Sequence, residues 1–341
     1  MKGSVGPATG LLGTLASITM RAVRVVTPTG PRDVTVRDVP EPTPGPDDVL
    51  VEVHSVGVSF PDLLLSRGEY QMKPEPPFTL GVDFAGKVLD PGSSDFVVGQ
   101  RVAGVAGWGN AAERVASPKA WTFPLPDVSS YDEGAALPLN YLTAQFALAD
   151  RAGLRAGETV LVHGAAGGVG TATIQVARGY GARTIAVVST PEKAALARKA
   201  GADEAVPIEG FKEAVAELTE GRGVDVVMDV VGGDAFTDSL RSLAPGGRLL
   251  VVGFASGQGI PQVKVNRLLL GNIDVRGVGW GAYAMARPGF MQQQWQALVP
   301  MIEAGVVKPP IGATYDLDGF GQALVDMDER RTLGKSVVRV R

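Results

Sequence analysis

The run from Thr159 to Arg178 limits what this chain can become more than any other stretch. It opens with Val160-Leu161-Val162, an apolar β-branched segment of the kind buried on both faces of a parallel sheet. A turn of small residues follows, His163-Gly164-Ala165-Ala166-Gly167-Gly168-Val169-Gly170, and Thr171–Arg178 then reads as a helix. Within the turn, Ala165-x-Gly167-x-x-Gly170 is a form of the dinucleotide fingerprint with Ala in its first place. A bare Gly167 lets a pyrophosphate approach the backbone, and Gly170 lets the helix pack close to the strand. The helix N-terminus offers free N–H groups and a positive dipole end to phosphates. Glycines alone are weak evidence in a chain with 45 of them. The strand before and the helix after turn them into a predicted cofactor site, with Ala165, Ala166, Gly167, Gly168, Val169 and Gly170 as its backbone.

Length and composition narrow the surroundings. A chain of 341 residues is long enough for two domains, and 45% hydrophobic with 20% charged residues suits a large buried core. The net charge of −4 and the lack of a basic stripe argue against nucleic acid and anionic membrane as partners. No apolar stretch approaches the ~20 residues that span a bilayer. Cysteine is absent, so disulfides, thiolate metal sites and cysteine nucleophiles are excluded together, in keeping with a cytoplasmic expectation. Residues 1–19 read as a leader or tag-like extension, because Met20-Arg21-Ala22-Val23 looks like a fresh start.

Beyond that extension the chain divides by pattern. From Met20 to about Leu125, short apolar runs such as Arg21–Thr27, Val34–Val39, Val49–Val58, Gly86–Leu89 and Gln100–Val105 are cut by Pro and Gly. This predicts a β-rich, barrel-like unit. Phe60–Ser66 reads as a short helix carrying Asp62, and Asp132–Ala152 as one helical stretch with Ala135, Leu139, Leu142 and Phe146 on one side. After the glycine turn, strands at Thr184–Val188, Ala205–Pro207, Val224–Asp229, Gly247–Gly253 and Asp274–Val278 alternate with helices at Pro191–Ala200, Phe211–Thr219 and Ala235–Leu243. Such alternation predicts a parallel, doubly wound sheet. A helix at Gln292–Ala304 and a tail ending in Gly334–Val340 then return toward the β-rich unit.

The glycine turn is not the only motif. Val56-Gly57-Val58-Ser59-Phe60-Pro61-Asp62, Arg67-Gly68-Glu69-Tyr70, Leu80-Gly81-Val82-Asp83-Phe84-Ala85-Gly86, Asp229-Val230-Val231-Gly232-Gly233 and Leu243-Ala244-Pro245-Gly246-Gly247 appear in order. Together they resemble the medium-chain dehydrogenase/reductase superfamily, specifically its zinc-free quinone oxidoreductase branch, from about Met20 to Arg341. The resemblance implies an α/β protein with a GroES-like catalytic domain (20–142 with 288–341), a Rossmann cofactor domain (143–287), a cleft between them, and commonly a homodimer. Zinc-dependent relatives place a Cys ligand where Ser59 stands and Gly-His-Glu where this chain has Gly81-Val82-Asp83. With no Cys and only His54 and His163, the chain lacks the three or four ligands that zinc needs, so no metal is expected. His54 reads as a packed residue and His163 as a shaper of the turn. Zinc-free members often carry Asn at the Ser59 position, and some carry Tyr at that of Leu64; both are absent here.

Cofactor choice follows from the end of the second Rossmann strand, where NAD enzymes carry an acid for the ribose 2′-OH. Here stand Ser189 and Thr190, with Lys193 nearby, which favours the 2′-phosphate of NADPH. Thr190 also suits a helix N-cap before Pro191. The resemblance adds Arg330 as a second phosphate contact. The expected reaction passes hydride to a quinone or an α,β-unsaturated carbonyl, leaving charge on an oxygen that must be stabilised and protonated. The candidates are Ser59 at the zinc-Cys position, Tyr70 at the Gly-x-Tyr position used by related enoyl reductases, and Thr143, which resembles the interdomain helix residue that contacts the nicotinamide end in the family. Val231, Gly253, Phe254 and Trp280 fall at or after predicted strand ends, where ligands of open α/β sheets bind. Phe60, Trp108 and Trp280 are candidates to stack on a flat substrate, whereas Asp62 and Asp83 read as local structural acids. An enoyl-thioester or alkenal reductase, and a non-catalytic NADPH-binding protein, remain as alternatives.

Overall fold

A computed structural model describes residues 18–341. The extension read at 1–19 lies almost wholly outside the described residues, and the first strand opens at Thr19, one residue ahead of Met20.

The first part of the chain runs β1 (Thr19–Val25), β2 (Thr35–Pro40), β3 (Asp48–Gly57), helix α1 (Phe60–Ser66), β4 (Phe78–Thr79), β5 (Asp83–Asp90), β6 (Arg101–Val105), β7 (Arg114–Pro118) and β8 (Thr122–Pro124). β3 shows why these strands form: Val49, Val51 and Val53 point inward, and Leu50, Glu52 and His54 between them are only partly covered. That alternation is the mark of an antiparallel strand with one wet face. β3 is also the hub, pairing with both β5 and β7. Helix α2 (Tyr131–Ala136) begins at a Ser130–Glu133 capping box, and α3 (Pro138–Gln145) follows at once. A π-type turn at Phe146–Ala152 leads out of α3.

The stretch expected to be one helix over 132–152 is therefore interrupted. Pro138 has no N–H to continue α2, and its ring crowds the carbonyl four residues back, so a new helix starts at the proline. The apolar spacing carries across the break, which is why spacing alone missed it.

The second part runs β9 (Thr159–His163), α4 (Gly168–Gly179), β10 (Arg183–Val188), α5 (Pro191–Lys199), β11 (Glu204–Pro207), α6 (Phe211–Leu218), β12 (Val224–Asp229), α7 (Ala235–Arg241), β13 (Leu243–Val251), α8 (Asn266–Gly271) and β14 (Asp274–Gly277). Its six strands lie in the order β11-β10-β9-β12-β13-β14, every pair parallel. Renumbered from β9, this is the 3-2-1-4-5-6 order of a Rossmann sheet, with the reversal between β9 and β12. All residues of β9 and β12 are buried, as expected where helices cover both faces. At the opposite end of the sheet, Arg248 of β13 forms a bidentate pair with Glu158 at 2.7 Å and donates to Ala152 O at 2.9 Å, pinning the exit of the π-type turn.

Helices α9 (Trp280–Met285) and α10 (Phe290–Glu303) lead to β15 (Ile311–Asp316), α11 (Phe320–Asp328) and β16 (Lys335–Arg339). β16 pairs antiparallel with β3, so the end of the chain joins the first sheet in the order β15-β16-β3-β5-β6-β8. Phe320 and Leu324 of α11 pack with Val49, Val51 and Phe84. One larger buried cluster runs from Val82 and Phe123 through Tyr141 and Leu142 of α3 to Ile174 and Val176 of α4. Helix α3 is thus the shared wall of both halves.

Candidate active site

The glycine turn sits at the C-terminal end of β9, at the point where strand order reverses. Gly164 adopts φ +61°, and a Cβ there would lie 2.8 Å from Val230 Cγ2. Gly167 closes the turn, its N–H donating to Gly164 O at 2.9 Å. A Cβ on Gly170 would overlap Gly164 O and stand 2.7 Å from Ala165 Cα, so only glycine lets α4 pass this close to the strand. A Cβ on Gly168 would reach 2.5 Å from Asn140 Nδ2 of α3. Around Gly167, by contrast, only Gly164 O comes near, at 3.3 Å. The N-cap of α4 is Gly167 and has no side-chain cap, which leaves the first-turn N–H groups of a twelve-residue helix facing that open space. This is the geometry of an anion cradle.

The supports of the cradle come from both halves. Ala165 and Ala166 are buried, and Ala166 O accepts the N–H of Gly334, the residue before β16, at 2.9 Å. Val169 is half-buried on the first turn of α4. His163 is fully buried: its Nε2 lies 2.8 Å from Ser239 Oγ, and its ring meets Phe211 edge-on. Burial pushes its pKa down to about 4, against the pull of Asp229. Asp229 Oδ1 accepts the N–H groups of Val231 and Gly232 at 2.9 and 2.8 Å, folding the loop after β12 back on itself.

Past the strand ends, Val231 O accepts Ser256 N, and Phe254 lies 3.0 Å from where a Gly232 Cβ would stand. The structure thus brings Val231, Gly253 and Phe254 together on one rim. Arg330, in the left-handed region at φ +58°, reaches across to the same rim and donates to Ser256 O at 2.8 Å. At the end of β10, Ser189 and Thr190 are exposed and Lys193 Nζ lies 3.2 Å from Ser189 Oγ. Thr190 Oγ1 caps α5 by accepting Lys193 N, so it serves the helix and leaves Ser189 and Lys193 as the open polar pair.

Trp280 differs from its expected place. Instead of presenting a face beyond β14, it begins α9, is 4% exposed and donates its indole N–H to Gln294 Oε1 at 2.8 Å. Gln294 in turn bonds Leu142 O and Gln145 of α3. Trp280 is a core residue of the α3–α10 contact. Phe60 and Trp108, at 41% and 38%, keep exposed aromatic surface.

Ser59 caps the start of α1, and its side chain is drawn into a buried polar cluster. Lys335 Nζ of β16 donates to Ser59 Oγ at 2.6 Å and to Asp83 Oδ2 at 2.9 Å, while Ser59 Oγ lies 3.1 Å from the same oxygen. Asp83 Oδ1 accepts the N–H of Leu139, a donor left free at the start of α3. Asp83 is thus part of an ion pair and more than a local structural acid. Asp62 does fit that description: it accepts the N–H groups of Ser59 and Gly81, and burial raises its pKa to about 7. Tyr70 is half-buried, its pKa raised by burial and then by Asp62, so its phenol keeps its proton at neutral pH. Thr143 is buried on α3, one turn from the Asn140 that abuts Gly168.

Lys335 escaped the sequence reading altogether. Its one visible signal is a lysine opening an otherwise buried strand, Lys335-Ser336-Val337-Val338. The two histidines lie apart from this cluster in use: His54 stacks on Tyr131 with ring centroids 4.2 Å apart, and His163 is tied to Ser239. Among the described residues, no group of three or more His, Cys, Asp or Glu is arranged to hold a metal ion. No helix among them is long and apolar enough to cross a membrane.

Two family models match the chain: "Alcohol dehydrogenase GroES-like domain" over residues 45–127 and "Zinc-binding dehydrogenase" over residues 168–304. The rat quinone oxidoreductase-like protein 2 is 38% identical over 313 residues, covering 90% of this chain and 89% of its own. A probable oxidoreductase of Mycobacterium abscessus superposes with a TM-score of 0.87 at 40% identity, over 95% of this chain and all of its own. A mycobacterial protein solved in complex with NADPH gives 0.85 at 32% identity, over 94% and 99%. With the Rossmann strand order, the glycine cradle and these likenesses taken together, the chain belongs to the quinone oxidoreductase branch of the medium-chain dehydrogenase/reductase superfamily and is an enzyme of that type.

Proposed function

We propose that this enzyme is an NADPH-dependent reductase that transfers hydride to a quinone or an α,β-unsaturated carbonyl without a bound zinc. The observation that carries the reading is the open, uncapped cradle at Gly167, with Ser189 and Lys193 standing where an NAD enzyme would carry an acid. The neighbour complexed with NADPH and the quinone oxidoreductase-like relatives support it.

The α4 N-terminus would hold the pyrophosphate; Ser189, Lys193 and Arg330 would hold the 2′-phosphate; and Thr143 of α3 would face the nicotinamide end. When bound, the cofactor supplies a hydride. The chain's own work is to hold the substrate against the exposed faces of Phe60 and Trp108 and to meet the charge that develops on its oxygen. Tyr70 and Ser59 are the hydroxyl donors for that charge.

The family's zinc does not fit these residues. The Ser59 and Asp83 oxygens, at positions of metal-site residues in zinc-dependent relatives, are already engaged by the Lys335 ammonium. Neither histidine joins them, and a zinc site needs three or four N, S or O ligands.

The test is NADPH oxidation followed with simple quinones, enones, alkenals and enoyl-thioesters. Turnover with quinones or enones, with NADPH preferred over NADH, is expected. Lys193→Ala should narrow that preference by about tenfold, in line with one lost charge-assisted contact of ~1.4 kcal/mol. Tight NADPH binding with no turnover on any of these substrates would leave a non-catalytic NADPH-binding protein as the answer.

The proposal includes a homodimer. β14 is an edge strand of the Rossmann sheet, and the segment before it exposes Ile260, Val265, Leu269 and Leu270, the last two at 76% and 78%. An apolar edge of this kind calls for cover. Light scattering should give twice the chain mass, and Leu269→Asp with Leu270→Asp should halve it; a monomeric wild type would end this part of the proposal.

A further inference from the structure

The Ser59–Asp83–Lys335 cluster is an unusual thing to bury. Ser59 is 3% exposed, Lys335 5% and Asp83 fully enclosed. Taking an ammonium and a carboxylate out of water costs more than their attraction regularly returns, and apolar replacements of such pairs are often neutral or better. The fold nevertheless makes room for the lysine. Gly57 is bare where a Cβ would stand 2.8 Å from Lys335 Cε and overlap Ala135 O. The cluster also lies at the seam of the two halves. Asp83 holds the start of α3 through Leu139, and the residue before Lys335 is bonded to Ala166 in the phosphate turn.

The chemistry of the cluster is that of a polarised hydroxyl. Lys335 Nζ donates to Ser59 Oγ, which engages a lone pair and leaves the Ser59 proton available for donation. At rest that proton is received by Asp83 Oδ2. A substrate oxygen gaining negative charge beside Ser59 offers its proton a better acceptor than a carboxylate already paired with the ammonium.

We propose that Lys335 is a positioning residue for the reductase reaction, polarising Ser59 so that the Ser59 hydroxyl meets the charge on the substrate's oxygen. The inference rests on the reductase reading above. Once hydride addition has placed the electron pair on the substrate oxygen, a new O–H bond forms there as the Ser59 O–H bond breaks. The Ser59 oxygen takes a proton from Lys335 Nζ, which is left as a neutral amine and regains one proton from water before the next turnover. The substrate gains one hydride and one proton, and no other reactant is needed.

The test is a double-mutant cycle read in kcat, with NADPH affinity measured separately by fluorescence. Lys335→Met and Ser59→Ala should each lower kcat by about 100-fold, within the range of a general-acid contribution. NADPH affinity should change by less than about threefold, well under the tenfold that marks a lost contact. The Ser59→Ala, Lys335→Met double variant should be no slower than the worse single, because the lysine acts only through the serine. If Lys335→Met alone does not fold, Asp83→Asn with Lys335→Met removes both charges together, and its kcat should be equally low.

Three results would overturn the proposal. One is a wild-type kcat in either lysine variant. Another is a Lys335→Met effect of full size in the Ser59→Ala background. The third is a loss confined to NADPH affinity or melting temperature with kcat retained. A wild type that reduces no quinone or enone removes the reductase reading and this proposal with it, whereas an active wild type indifferent to Lys335 removes this proposal alone.

Discussion

The phosphate cradle and the Ser59 cluster are neighbours built by opposite means. The cradle is made of backbone. Six consecutive residues, Ala165 to Gly170, supply it, and their contribution is chiefly the absence of side chains. The cluster is made of side chains gathered from far apart: Ser59 and Asp83 come from the ends of β3 and β5, and Lys335 lies 276 residues from Ser59 in sequence. Backbone sites tolerate no atoms in the wrong place, and side-chain sites tolerate no missing ones. That contrast explains why one was legible in the sequence and the other was not, and it sets the order of effects expected from substitution.

The largest effect should come from filling the cradle where it is tightest. Gly170→Val places atoms against Gly164 O and Ala165 Cα, and overpacking of this kind costs about 1–3 kcal/mol or more. Saturable NADPH binding should disappear with it, because α4 must move away from the strand. Binding at wild-type affinity would show that Gly170 does not set the cradle.

Gly167→Ala should separate binding from folding. Its Cβ meets only Gly164 O at 3.3 Å, so unfolding should be little changed, while the space for the pyrophosphate narrows. We expect about a tenfold loss of NADPH affinity, or ~1.4 kcal/mol, with a melting temperature within a few degrees of wild type. A large fall in melting temperature with affinity preserved would invert the assignment.

The smallest effect sharpens the comparison through pH, since each half buries an ionisable group displaced within the range between about pH 4 and 7. Asp62 is raised from 3.8 to about 7, so between these values the folded state holds a proton that the unfolded state has lost. Stability from this group is full below about pH 3.8 and is lost as pH rises through about 7. His163 is lowered from 6.5 to about 4, so the unfolded state holds the extra proton. Its stability is full above pH 6.5 and is lost as pH falls through about 4.

The two slopes oppose each other over the shared window. Denaturant titrations across pH 4–7 should be flat for wild type with respect to these groups. They should steepen toward acid in Asp62→Asn and reverse sign in His163→Gln, each by at most about 1.4 kcal/mol per pH unit. Identical profiles for all three proteins would show that neither group titrates as described.

Legibility in the sequence followed the same division. In the Rossmann half, Val224–Asp229 was read to the residue and Thr184–Val188 to within one, because strands covered on both faces are continuous apolar runs. The 3-2-1-4-5-6 order was not read from any one strand, although alternation of strand and helix implied a parallel sheet. In the other half, the 132–152 helix broke at Pro138, a residue in plain view whose effect was masked by apolar spacing that continues past it. Ser59 and Asp83 are each reachable through a resemblance, but Lys335 is not, and no local pattern links positions 59, 83 and 335. Trp280 departs from its expected place because a residue just past a strand end need not face the cleft. The first turn of α9 instead tucks its indole under Gln294.

The hydrogen bond from Gly334 to Ala166 has a mechanical consequence. It fastens the peptide next to Lys335 to the loop that would clasp the pyrophosphate, so the Lys335 backbone stands a single covalent step of ~3.8 Å between Cα atoms from a residue bonded to the cradle. A displacement of the loop is transmitted to the lysine with little slack. The two halves therefore share a ruler: the segment that would measure out the cofactor's position also sets where Ser59 meets its donor. Random drift of one half against the other would be felt at both places at once.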